Sequence, residues 1–207
     1  MRIPDYLSEV EHAALSLIDA IWSEQLKLQK IEEEIEKLQP VVEENYSRAV
    51  DIQQFAEDPD DVMMGVGMYW NNYFGEDKQL YHTDQNRQEL ANKVASHAFS
   101  IASLSASLLQ HAKQGISLAH GGLANCPSGR IIGSQSLKNI VWEARNQSLH
   151  WEEANFRQGV NKCFNALDTE VDQKYSQYLN RNMAFDIVDL LGWKSYGNFS
   201  RDLLSLA

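Results

Sequence analysis

The spacing of apolar residues along the first forty positions most narrows the folds open to this chain. Leu7, Val10, Ala14, Leu17, Ile21, Leu28, Ile31, Ile35 and Leu38 recur at alternating steps of three and four, interrupted once by Glu24. Only an α-helix gathers such positions into one stripe. Pro4 suits an opening turn and Pro40 a stop, so the expected helix runs from Pro4 to Gln39, about 50 Å at 1.5 Å per residue. That is longer than a compact domain needs, and the stripe suits a long antiparallel hairpin or packing between chains. The acidic run Glu32, Glu33, Glu34 and Glu36 falls mostly off the seam and reads as a solvated face.

Helical spacing continues downstream. A second helix is expected over 41–56, completing a hairpin over residues 1–56 through Val42, Tyr46, Ala49 and Val50. Residues 57–83 carry Pro59, Gly65, Gly67 and Gly75 among Tyr69, Trp70, Tyr73, Phe74 and Tyr81. They read as an irregular segment folded onto the core, with a short helix over 62–73; base stacking is the competing role for its rings. Residues 84–119 form the next long helix, capped by Thr83 or Asp84 and ended at Gly121-Gly122. Its stripe is Leu90, Val94, His97, Ile101, Leu104, Leu108 and His111, beside a set of Ala and Ser that lets helices approach closely. His97 and His111 are about 21 Å apart along the axis, which excludes a shared metal and makes both core residues. The glycine-rich loop 120–133 lacks the Lys–Ser/Thr of a P-loop. A helix is expected over the stretch from Ser134 to Phe156, passing into another from Glu153 to about Asn180, and two short pieces in 182–207 are joined at Gly192-Trp193. No strand pattern emerges, so the expected fold is all-α, a single up-and-down helical bundle over 1–207 with a long N-terminal helix and the body of the bundle in 84–180.

The chain has 18 basic and 29 acidic residues, a net charge of −11. An acidic surface excludes nonspecific wrapping of nucleic acid, which needs a cationic footprint. The exception is 127–165, where Arg130, Lys138, Arg145, Arg157 and Lys162 face only Glu143, Glu152 and Glu153, a local +2. Two cysteines, Cys126 and Cys163, are too few for a disulfide framework or a zinc signature and suit a reducing compartment. With no signal-like start and no apolar run of about 18 residues, a soluble cytoplasmic protein without membrane contact is expected.

The least acidic region also holds the densest chemistry. From Ser134, placed to cap a helix, Leu137, Ile140, Val141 and Ala144 make an inward stripe. About 100° per residue then aligns Trp142, Asn146, His150 and Glu153, with Arg145 one step round. A guanidinium, an amide and an imidazole on one edge suit an anionic substrate; a solvated face with a lone His is the plainer alternative.

Arg145-Asn146-Gln147-Ser148-Leu149-His150 is an R-x4-H sequence with a polar residue directly after the Arg. In an all-helical chain, over roughly Ser134 to Asn165, this resembles the HEPN domain. The resemblance implies a helical bundle pairing as a two-fold homodimer, with Arg145 and His150 catalytic and Asn146 accessory. It implies a metal-independent endoribonuclease without cofactor, a toxin or anti-phage component acting on RNA, with an antitoxin protein as a possible partner. Arg130 and Arg157 would bind substrate at the rim. One subgroup, paired with a nucleotidyltransferase antitoxin, has a Tyr two residues after the His; Glu152 stands there in this chain. The chemistry is coherent in itself. Imidazole titrates near neutrality and serves as acid or base, and a guanidinium holds phosphate bidentately. Five residues make about 140° round an ideal helix, so Arg145 and His150 converge only if the helix frays near Leu149 or a second chain contributes. The competing functions are a catalytically inactive HEPN-type dimer that binds a protein or nucleotide, and a coiled-coil adaptor built on the first helix.

Overall fold

The protein is all-α, a helical bundle with a long N-terminal helix. This computed structural model describes residues 1–56, 58–80, 84–153 and 155–207. The expected cap Thr83, the ring of Tyr81 and the side chain of Leu90 lie outside the described residues. Among the described residues eight α-helices run in order: α1 Ile3–Gln54, α2 Pro59–Phe74, α3 Glu76–Leu80, α4 Asp84–His120, α5 Leu137–His150, α6 Gln158–Glu170, α7 Ala184–Leu190 and α8 Tyr196–Leu204. The chain divides into two compact units, Met1–Glu24 with Phe99–Ala207, and Gln25–Ala98.

The expected hairpin over 1–56 is instead one helix, α1, that continues through Pro40. Proline removes one hydrogen bond and crowds the carbonyl four residues back, a cost of about 3 kcal/mol in a helix interior. Reversing the chain would also require further turn residues, and Leu38-Gln39-Pro40-Val41-Val42 offers no Gly, Asn, Asp or Ser beside its proline. Meanwhile a seven-residue repeat stays in phase across the proline: Leu28 and Val42 are buried, Ile35 half-buried and Ala49 buried.

In the larger unit, the first turns of α1 bury Ile3, Tyr6, Leu7, Val10, Ala14, Ile18 and Ile21. Tyr6 donates its hydroxyl to the His111 carbonyl at 2.7 Å, and its ring lies so close to Gly115 that a Cβ there would be 2.8 Å from it. The buried stripe of α4 is Ile101, Ser105, Leu108, Leu109, Ala112 and Ile116. His111, expected in the core, is only half-buried, as is His97 in the smaller unit: the buried stripe passes to one side of His111, through Leu108, Leu109 and Ala112.

One short antiparallel pair, β1 Ile131–Ile132 and β2 Gln135–Ser136, precedes α5. Gly133 at φ 58° makes its turn. Ser134 therefore lies in a hairpin turn, and the helix begins at Leu137 with Ser136 as its N-cap residue. The long helix expected over 153–180 is divided into a 3-10 turn at Trp151–Glu153, α6, and a 3-10 stretch at Gln173–Leu179. Asp172 ends the α-helical run by accepting from the Lys174 N–H at 2.8 Å, a local bond that competes with helix continuation. The two short C-terminal helices occur where the spacing places them, around the fully buried Trp193.

In the smaller unit, residues 59–74 are helical throughout. Asp58 caps α2 by accepting from Asp60 N and Asp61 N, with Pro59 in the first turn. Gly65 does not break the helix; it lets α2 approach α1, where a Cβ would sit 2.6 Å from Gln53.

Candidate functional site

The C-terminal end of α5 is anchored before it is functional. Gln147 is fully buried. Its Nε2 donates to the carbonyls of Tyr178 and Arg181 at 2.8 and 2.7 Å, and its Oε1 accepts from Met183 N at 3.0 Å. An amide spanning the 3-10 stretch and the start of α7 fixes the rotation of α5. The neighbours Arg145, Asn146 and His150 are thereby turned away from the core.

Those three residues line one cavity of about 320 Å³ together with Glu153, Asn155, Phe156, Arg157 and Val160. The helix does not fray at Leu149: α5 remains helical through His150 and tightens into the 3-10 turn. The cavity wraps round the end of α5, so residues about 140° apart border it within a single chain. The extended backbone at Arg157, which precedes α6, carries that guanidinium to the same cavity.

Each polar group in the cavity is held in a distinct way. Arg145 donates Nε to Gln110 Oε1 on α4 and, at 3.4 Å, one Nη to Asn146 Oδ1. Asn146 in turn donates Nδ2 to Glu143 at 3.2 Å, which settles the orientation of its amide. His150 Nδ1 pairs with Glu153 Oε1 at 2.9 Å. With the proton on Nδ1, Nε2 keeps its lone pair. Among the described residues, no protein group takes Nη2 of Arg145, Nε2 of His150 or the Arg157 guanidinium. Two cationic groups and a proton acceptor thus border one space with hydrogen-bonding capacity unspent.

Burial lowers the pKa of Arg145 and of Lys113, the latter also feeling the charge of Arg145. Lys113 sits 4.6 Å over the Trp142 ring. Burial raises the pKa of Glu143, and the Asn146 hydrogen bond and Arg157 charge pull it partly back. Cys163, buried beside Glu143, is pushed up to about 12, which leaves its thiol protonated and inert.

Arg130 is not brought to this cavity. Its Nε and Nη2 donate to the two carboxylate oxygens of Asp202 at 2.8 Å, and Nη2 also reaches the Leu191 carbonyl at 2.7 Å. Trp193 Nε1 donates to the same carboxylate, so Arg130 ties the loop before β1 to the C-terminal helices. Gln110 and Lys113 are the neighbours that sequence reasoning missed. They lie on another helix, about 35 positions away, and no local pattern marks them. Among the described residues no helix is long and apolar enough to cross a membrane. No protein-family model, curated protein or solved structure matches the chain.

Proposed function

We propose that this chain is a HEPN-type, metal-independent endoribonuclease. What supports it is a single observation: Arg145, Asn146, His150 and Arg157 border one cavity in which, among the described residues, Arg145 Nη2, His150 Nε2 and the Arg157 guanidinium have no hydrogen-bond partner. His150 removes the proton of an RNA 2′-hydroxyl through Nε2 while Glu153 steadies the imidazole. The 2′-oxygen attacks phosphorus, the bond to the 5′-oxygen breaks, and that oxygen takes a proton from a second acid. Arg145 and Arg157 hold the phosphate and stabilise its growing charge. A second copy about a two-fold axis supplies the acid as its own imidazole. A toxin or anti-phage role, with an antitoxin protein as partner, accords with such an activity.

Purified protein is expected to cut single-stranded RNA in excess EDTA and to leave a cyclic phosphate end. His150→Ala removes the activity without changing the melting midpoint, and Arg145→Ala removes it with only the modest loss of stability that its Gln110 hydrogen bond carries. Cleavage that survives both changes refutes the reading. The net charge of −11 favours a second reading, an inactive HEPN-type module that binds a protein or nucleotide; it predicts no cleavage by the wild-type chain.

A further inference from the structure

In the smaller unit, α2 exposes apolar side chains away from α1. The side that meets α1 carries Gly65 and Asn72 beside Tyr69, whose ring packs 5.1 Å from that of Tyr46. Gly65 lies against Ala49 and Gln53, Asn72 Nδ2 donates to the Val42 carbonyl at 3.1 Å, and Asn45 donates to Asn72 Oδ1. Large apolar side chains occupy the other side. Met63 is 67% exposed, Met64 58% and Trp70 47%. Met63, Gly67 and Trp70 fall within about 60° of one line along the helix, and Phe74 extends that line. A Cβ at Gly67 would meet nothing within 4 Å, so a shallow dip separates Met63 from Trp70. Trp70 and Phe74 stack with centroids 5.6 Å apart, which makes a flat aromatic end to the strip.

Charge says what such a strip can take. Residues 25–98 hold seven Lys and Arg against fifteen Asp and Glu, a net −8. Asp60 and Asp61 lie in the first turn of α2, and the exposed Glu76 begins α3 just beyond it. Methionine adapts to varied apolar partners, and glycine permits close approach of a helix backbone. A second copy would set one −8 surface on another, and nucleic acid would be repelled. We propose that the Met63–Gly67–Trp70 face of α2 is a docking site for a basic amphipathic helix of a partner protein, whose apolar side seats on the strip and whose Lys and Arg meet the surrounding carboxylates.

The test uses the full chain and a labelled 18-residue helical peptide of leucine and lysine arranged with one apolar face. A peptide of the same composition, scrambled to remove that face, is the control. Fluorescence anisotropy should show the scrambled peptide binding at least tenfold more weakly. Met63→Gln/Trp70→Gln should weaken the amphipathic peptide at least tenfold with unchanged helicity. Gly67→Gln, which fills the dip on an open surface, should weaken it comparably and guards against a folding defect in the double variant. Equal binding of both peptides, or undiminished binding by the variants, overturns the proposal. So does sedimentation showing a wild-type dimer that Met63→Gln/Trp70→Gln dissociates, since that makes a second copy the occupant.

Discussion

Replacing Gln147 tests whether one buried amide orients the whole site. Its three hydrogen bonds are each worth about 1 kcal/mol net, and a buried group left without a partner costs about 1–3 kcal/mol. The Met183 N–H and the Tyr178 carbonyl lie in buried surroundings and would be orphaned. Arg181 is exposed, so its carbonyl can turn to water. Gln147→Met keeps nearly the same volume and should cost about 3 kcal/mol, all of it polar. Gln147→Ala adds a cavity and should cost about 4–5 kcal/mol. Urea unfolding followed by tryptophan fluorescence and by circular dichroism measures both, with an unchanged denaturant slope as the sign that only stability moved. A Met variant that loses less than about 1 kcal/mol refutes the claim that these bonds, and not mere packing, hold α5 in register.

Two further outcomes follow from the charges around the site. Glu143 has its folded pKa raised above the ordinary 4.5, chiefly by burial. The folded protein therefore keeps a proton that the unfolded chain releases, and this stabilising contribution is full below pH 4.5 and declines as pH rises through the folded value. Glu143→Gln should leave the melting midpoint unchanged at about pH 4 and raise it at about pH 7; thermal scans showing no gain at neutral pH contradict the assignment. Arg130→Ala should cost about 1–2 kcal/mol, discounted because the side chain is 42% exposed, and should leave RNA cleavage per folded molecule intact. Lost cleavage at unchanged stability would put Arg130 back at the cavity rim.

Helix content was legible from the sequence because it is written locally. The three-four spacing of α1 and the apolar stripe Leu137, Ile140, Val141 and Ala144 each depend on neighbours within a few positions. The errors arose where a local signal met a longer one. Pro40 reads as a stop, yet the heptad through Leu28, Ile35, Val42 and Ala49 continues past it. The glycines of 59–75 read as a loop, although Gly65 is there for helix contact.

The group Arg145, Asn146, His150 and Arg157 was also visible, since all four lie within one short span. Its geometry was not. A flat helical projection separates Arg145 from His150 by about 140°, and only the return of the chain through Phe156 and Arg157 encloses both in one cavity. Gln110 grips Arg145 from another helix, and Arg130, close in sequence, is drawn away by Asp202. The sequence by itself determined which segments are helical and which residue types gather near α5, because periodicity and composition act over a turn or two. Tertiary structure alone decided which of those side chains keep free hydrogen-bonding groups, because that depends on partners supplied from distant positions in the chain.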